Sequence, residues 1–270
     1  MSAPVPVPGS PRVWHRFPLP LRLARFAFYL FAVAALVVSL RTIEIIPEFL
    51  YDAPEQMADL FGRMWPPDAA YLEPTLAALV ETLHIATLGT LLALVMAVPL
   101  ALIGARNVTP SLALNLVAKF AFVASRSVNS LVWALLFVAV FGPGPLAGTL
   151  AIAFRSIGFT GKLLAESLEE AQRGPIEALK AAGAGGPAIL NYGYWPQVKP
   201  AFWSIALFRW DINIRESAVL GLVGAGGIGV ALDTALNLLY WDQVAVVLAA
   251  IFAVVVVAEV LVTFVRGRIL

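Results

Sequence analysis

Cysteine is absent from the 270 residues, and histidine occurs only as His15 and His84. The lack of cysteine excludes disulfides, thiolate metal sites, cysteine nucleophiles and thiol redox chemistry. Charge is scarce as well: Asp, Glu, Lys and Arg make up 13% of the chain, and 18 basic residues against 17 acidic ones leave a net charge of +1. A soluble enzyme carries about twice that share of charge. A nucleic-acid binder carries a basic surplus and a solvating chain an acidic one, so nucleic acid is not an expected partner. What the sequence has in excess is apolar: hydrophobic residues account for 60% of it. The composition reads as an integral membrane protein, and the fold class it implies is all-α.

Pro4, Pro6, Pro8 and Pro11, with Arg12, His15 and Arg16 and no apolar period, mark residues 1–21 as a disordered tail. Arg22 and Arg25 then precede the apolar run from Phe26 to Leu40. No small-x-small cleavage site introduces a soluble domain, so this run reads as a retained signal anchor rather than a removed signal peptide.

A hydrocarbon core of about 30 Å takes roughly 20 apolar residues per helix. Stretches 24–42, 76–104, 112–141, 145–165, 200–223 and 244–265 meet that need, giving about six transmembrane helices. The stretch 112–141 is too long for one straight span, and it contains Lys119 and the polar run Ser125–Ser130. It predicts an interfacial elbow followed by a short crossing. The expected domains are therefore the tail 1–21, a peripheral first helix with an outer amphipathic segment over 22–75, and a transmembrane core over 76–270 containing a loop at 166–199.

Charge asymmetry orients the chain, because cytoplasmic loops hold the excess Lys and Arg. The tail is basic, whereas 43–75 holds Glu44, Glu48, Asp52, Glu55, Asp59, Asp68 and Glu73 against Arg63. Both termini are then cytoplasmic, and so is the 166–199 loop with Arg173, Lys180 and Lys199. Within 43–75, Ile46, Phe49, Leu50, Met57, Leu60, Phe61 and Met64 recur at helical spacing among acids, as an amphipathic helix at the outer interface would. Such a helix either caps the bundle or offers a docking surface.

The 166–199 loop carries the strongest local signal. Residues 173–183, Arg-Gly-Pro-Ile-Glu-Ala-Leu-Lys-Ala-Ala-Gly, predict a short helix with proline in its first turn, Glu177 near its N-terminus and glycine at its end. Its alanines and glycine leave a shallow surface on which another protein can seat closely. Glu177, Ala178, Gly183 and Pro196 match the spacing of the Glu-Ala-Ala signature of ABC-importer permeases, although Leu179 replaces its third residue and Gly193 and Trp195 depart from its distal half. Together with Gly142–Gly148, Gly161–Glu166 and Leu220–Gly229, this constellation resembles the phosphonate-uptake permease family, with methionine-type importers more distant. The similarity extends over approximately 76–270.

That resemblance implies a type I importer fold with a core of about five helices. It implies a coupling helix in which Glu177, Ala178, Leu179, Ala182 and Gly183, with Pro196, meet a separate cytoplasmic ATPase dimer. ATP and Mg would be used by that partner, and no cofactor would be bound by this chain directly. A second permease chain, identical or paralogous, and a periplasmic substrate-binding protein would complete the assembly in the bacterial inner membrane. The implied cargo is a phosphonate, phosphate, phosphite or hypophosphite. A carrier driven by an ion gradient and a noncatalytic membrane scaffold are the competing classes; the coupling-loop spacing argues against the carrier, and in the scaffold the buried arginines would be tolerated pairing sites.

Charges inside the spans are independent of that resemblance. A central Arg or Asp costs about 2.5–3.5 kcal/mol on the insertion scale. Counted along the helices, Arg155 and Arg209 both lie about 15 Å from the nearer end of the span, close to the midplane. With Arg126, Arg215, Ser127, Asn213 and Ser217, they either form a cationic lining suited to an oxyanion or pair with Asp211, Glu216 and backbone carbonyls to fasten helices together. Asp211 and Arg215, four residues apart, can pair on one helix.

Three further motifs read modestly. Gly158-Phe-Thr-Gly-Lys-Leu163 lacks the glycine spacing and hydroxyl of a phosphate loop and reads as a helix end with a snorkelling lysine. Gly224, Gly226, Gly227 and Gly229 lack a strand-loop-helix context and read as a helix break or close-packing point at a gate. Glu81 and His84, without further ligands, read as a local hydrogen bond rather than a metal site.

Overall fold

The computed structural model of the chain describes residues 19–43 and 46–269. Up to residue 18, the expected tail lies outside the described residues. Every regular element among the described residues is helical, and the chain divides into two compact units, Met1–Asp59 and Leu60–Leu270.

In the first unit, helix α1 runs from Leu19 to Thr42. It begins inside the expected tail because Pro20 lacks a backbone N–H and is suited to a first turn. The stretch 20–42 is long and apolar enough to cross a membrane. Helix α2, Pro47–Arg63, contains the division at 59/60; it carries Asp52, Glu55 and Asp59 along one strip and Phe49, Leu50, Met57 and Phe61 elsewhere, which is the expected amphipathic segment.

The second unit is built on α3 (Leu72–Gly104), α4 (Leu112–Ser127), α5 (Ser130–Phe141), α6 (Pro145–Glu169), α9 (Trp195–Leu220) and α11 (Trp241–Ile269). Between α6 and α9 lie α7 (Arg173–Ala181), the single turn α8 (Gly186–Ala188) and a π-helical stretch, Ile189–Tyr194. Helix α10 (Ile228–Asn237) follows α9 across the glycine-rich break. The 112–141 stretch is bent by 90° between α4 and α5, as an elbow and a short crossing require. Asn129 makes the corner by accepting the Leu131 N–H at the start of α5.

By length and apolarity, three helices among the described residues qualify as membrane spans, or five if each of two bent pairs is one span. Helix α6 does not qualify, although it has 25 residues and was expected to cross. The reason is its position: α6 packs against α3, α4, α5 and α9, so its composition answers to protein neighbours rather than to lipid. Small residues permit this. A Cβ on Gly89 of α3 would stand 2.7 Å from Ile152 of α6, and Phe122 of α4 occupies notches at both Gly104 and Gly161. Gly158 and Gly161 therefore lie inside α6 rather than at a helix end, and Lys162 pairs with Glu166 at 3.3 Å.

Hydrogen bonds define the two ends of this unit. At one end Asn107 and the Arg106 N–H bond to Leu168 and Glu169. At the other, the Gly144 N–H donates to the Gly224 carbonyl at 2.9 Å. An apolar cluster around Phe122, Leu164, Leu168, Ile176 and Tyr194 fills the first end, and one around Ile85, Phe137, Ile152 and Leu220 fills the second.

Candidate functional site

Three groups of sequence-selected residues fall in three different places, beginning with α7 in the 166–199 loop. Ile176 is the one buried residue of α7. It and Leu179 lean on Gly193, where an added Cβ would stand 3.4 Å from Ile176 and 3.2 Å from Leu179. Glu177, Ala178, Ala182 and Gly183 are left exposed, as is Pro196 in the first turn of α9. The helix ends in a Schellman arrangement: Gly183 has φ +77°, its N–H bonds to the Lys180 carbonyl, and the Ala184 N–H bonds to the Leu179 carbonyl, each at 3.0 Å. The backbone itself thus favours glycine at 183.

Sequence reasoning missed Gln197. Its Oε1 accepts the Gln172 N–H at 2.8 Å, while its Nε2 donates to the Gly193 carbonyl at 2.7 Å and to the Gln172 carbonyl at 3.4 Å. One amide side chain ties the residue preceding α7 to the π stretch and to α9. A polar groove beside it is lined by Ser167, Gln172, Pro175 and Gln197.

The second group lies midway along α6 and α9. The Thr90 hydroxyl accepts from Asn213 at 2.7 Å, Asn213 Oδ1 accepts from Ser156 at 3.2 Å, and Ser156 Oγ accepts from Arg209 Nε at 2.8 Å. Arg209 and Arg155 then share Glu216, at 3.3 and 3.2 Å. Burial grades outward through this cluster: side-chain exposure is 5% for Arg209, 18% for Glu216 and 30% for Arg155. Arg215 pairs with Asp211 one turn back and is half exposed. Ser217 is buried and bonds to the Ile214 carbonyl at 2.9 Å. The arginines thus pair with Glu216 and Asp211, and Arg155 and Arg215 are the more exposed members. Arg126 and Ser127 do not join them. Arg126 lines a separate cleft with Lys119, Lys162, Glu166 and Glu169, and Ser127 is exposed at the end of α4.

The glycines form the third group. Gly224, Gly226 and Gly227 have φ of 78°, 83° and 74°, which L residues with a side chain rarely adopt. Gly229 packs directly on the backbone of Ala218 and Gly221. The break is fastened to α3: Glu81 accepts the Gly227 N–H at 3.0 Å and Thr82 accepts the Ile228 N–H at 2.7 Å. Glu81 thus engages a long-range partner instead of His84. No spacing rule could have found this link, because its two ends lie 146 residues apart.

Comparison with known proteins adds the following. Residues 89–269, more than half of the chain, match the family described as binding-protein-dependent transport system inner membrane component. The phosphite transport system permease protein PtxC of Stutzerimonas stutzeri is 38% identical over 203 residues, covering 75% of this chain and 74% of that relative. The phosphate-import permease protein PhnE of Mycolicibacterium smegmatis is 39% identical over 232 residues, covering 86% of this chain but 44% of the relative's own length. Among solved structures, the inward-facing methionine ABC transporter MetNI superposes with a TM-score of 0.66 at 18% identity, over 75% of this chain and 99% of that one. An amino-acid ABC transporter superposes at 0.63 and 20% identity, over 74% and 95%. At these identities the structural likeness speaks for the fold.

Proposed function

Because the chain belongs to the binding-protein-dependent transport system inner membrane component family, we propose that it is the permease subunit of an ATP-driven importer for phosphonate or a related phosphorus oxyanion, such as phosphate, phosphite or hypophosphite. One observation carries the mechanical half of this reading. Helix α7 is anchored at Ile176 and clamped through Gln197, yet presents Glu177, Ala178, Ala182 and Gly183 outward. A separate cytoplasmic ATPase dimer, which would use ATP and Mg, seats on that surface. Leu179 and Pro196 complete the seat's edge, and rigid-body motion of α7 passes through Gln197 into α9.

The transport half rests on Arg155, Arg209, Asn213, Arg215 and Ser217. Half-exposed guanidiniums at mid-span are too costly for a lipid-facing surface, by about 2.5–3.5 kcal/mol each. The edge bearing Arg155 and Arg215 accordingly faces a watery path or a second permease chain, identical or paralogous. A positive edge lowers the barrier for an oxyanion. Arg126, outside this cluster, serves the cleft toward the α7 end, and Ser127 bonds to the Ala124 carbonyl at the end of α4. Gly224, Gly226, Gly227 and Gly229 form a packed break at the opposite end, where a substrate-binding protein would deliver cargo from the periplasm. The chain lies in the inner membrane with both termini cytoplasmic.

Reconstitution with the cognate ATPase and binding protein in proteoliposomes tests this. Uptake of phosphate, phosphite or a phosphonate is expected to need both partners and ATP. Uptake driven by an ion gradient without the ATPase would overturn the reading.

A further inference from the structure

The mid-span cluster contains two guanidiniums and one carboxylate, and the sharing is unequal. Both oxygens of Glu216 lie on Nη2 of Arg209, at 3.4 and 3.3 Å, whereas one oxygen meets Arg155 Nε at 3.2 Å. Arg209 is further held by Ser156 Oγ at 2.8 Å, and its guanidinium lies 5.7 Å from the centre of the Phe159 ring. Arg155 has the Val128 carbonyl, at 3.3 Å, as its other bonded partner. The remaining acid on this part of α9, Asp211, is engaged by Arg215. Three basic and two acidic side chains thus leave one uncompensated positive charge. It falls at the more exposed end of the cluster, on Arg155. Unbalanced charge away from bulk water is costly, and a mobile anion relieves it. A guanidinium fork matches the oxygens of a tetrahedral oxyanion.

We propose that Glu216 is a built-in stand-in for the cargo at a counter-ion exchange site, which rests on the importer reading above. An entering phosphorus oxyanion takes the Arg155 Nε that Glu216 occupies, and Glu216 withdraws onto Arg209. The return of Glu216 to Arg155 then releases the oxyanion. No covalent bond changes. Arg155 is the residue that touches cargo, while Arg209 positions Glu216 by holding both its oxygens. The arrangement answers a physical need: an arginine without a competitor would bind an oxyanion and keep it, whereas transit requires binding weak enough to reverse.

The test uses the assembled complex of this chain with its ATPase, and radiolabelled phosphate and phosphite as probes. Binding is measured without the binding protein, and ATP-driven uptake with it. Glu216→Gln keeps shape and a hydrogen-bond acceptor for Arg209 but removes the competing charge. It is expected to tighten oxyanion binding at least about tenfold and to slow uptake. Arg155→Gln is expected to abolish binding in both the wild-type and the Glu216→Gln backgrounds, with co-purification of the ATPase checking that each variant is assembled. Binding unchanged in Glu216→Gln, or persisting in Arg155→Gln, overturns the exchange even where wild-type uptake is intact. Failure of wild-type ATP-driven uptake would instead overturn the importer reading. Should Glu216→Gln not assemble, Glu216→Asp, whose shorter reach withdraws the carboxylate from Arg155, is read in its place with the same two outcomes.

Discussion

Glu81, in the N-terminal half of α3, accepts the backbone N–H of Gly227 at 3.0 Å, directly beside Thr82, which accepts that of Ile228. Gly227 precedes the first turn of α10, where backbone N–H groups have no partner within their own helix. Helix α3 therefore caps α10 from outside, and a carboxylate also suits the positive end of that helix.

Removing this cap has a defined cost. Glu81→Ala leaves a part-buried N–H unpaired and is expected to destabilise the fold by about 1–3 kcal/mol, while Glu81→Gln, which keeps an acceptor, should lose less. Thermal unfolding in detergent measures both. Equal melting of Glu81→Ala and wild type would mean that the break is held by other contacts.

Gln197 gives a prediction of a different kind. Its side chain bridges Gln172 and the Gly193 carbonyl on the side of α7 facing the bundle. Gln197→Ala should leave ATPase association intact while lowering the transport obtained per ATP hydrolysed by several-fold. Unchanged stoichiometry in proteoliposomes would assign the clamp a purely structural role.

At Gly183, two substitutions separate backbone strain from docking. Nothing lies within 4 Å of a Cβ added there, so the protein itself has room for a side chain, but φ is +77°. Gly183→Ala and Gly183→Arg carry similar strain, about 1 kcal/mol. Only arginine puts bulk on the exposed surface. Arginine should therefore abolish ATPase-driven uptake where alanine merely weakens it, and full uptake by Gly183→Arg would contradict a motor seat at this turn.

Packing between α4 and α6 depends on Gly161, where a Cβ would collide with the Phe122 ring. Gly161→Ala is expected to cost about 1–3 kcal/mol through overpacking. Combining it with Phe122→Leu should restore part of the loss. A double variant no more stable than Gly161→Ala would locate the strain elsewhere.

Arg209 is the inner member of its cluster, and truncating it leaves Glu216 with Arg155 as its remaining cation. Arg209→Ala is expected to destabilise the assembly by about 1–3 kcal/mol, because Ser156 Oγ and the Glu216 carboxylate each lose a buried hydrogen-bond donor. Arg155→Ala, at the exposed end, should cost much less. Comparable losses of assembled protein for the two variants would refute this ordering.

Much of the architecture was legible in the sequence because it depends on local periodicity. The apolar runs located the long helices, the polar run at 125–130 located the bend between α4 and α5, and the residues around Glu177 and Gly183 located α7 with its terminating glycine. Asp211 and Arg215 lie four apart on a helix, and they do pair. What stayed hidden depends on distant partners. Glu216 looked like one nearby acid among two, and only the packing of α6 on α9 shows that it serves two arginines at once. Arg126 stood in the same group on the strength of depth alone, whereas the bend at 128–129 carries it to another cleft. Helix α6 shows the reverse difficulty, since its polar residues make a helix enclosed by four others fall short of a membrane span.

The π stretch at Ile189–Tyr194 bears on how the chain tolerates changes in length. Such a stretch stores a surplus residue in a widened turn. Deleting one residue there would let it relax to ordinary α geometry while α9 kept its rotational setting. The same deletion inside α9 would turn every later side chain by about 100° and swing Arg209 and Asn213 away from Ser156. The interval between α7 and α9 thus has slack at one place, and insertions or deletions that survive in it should concentrate there.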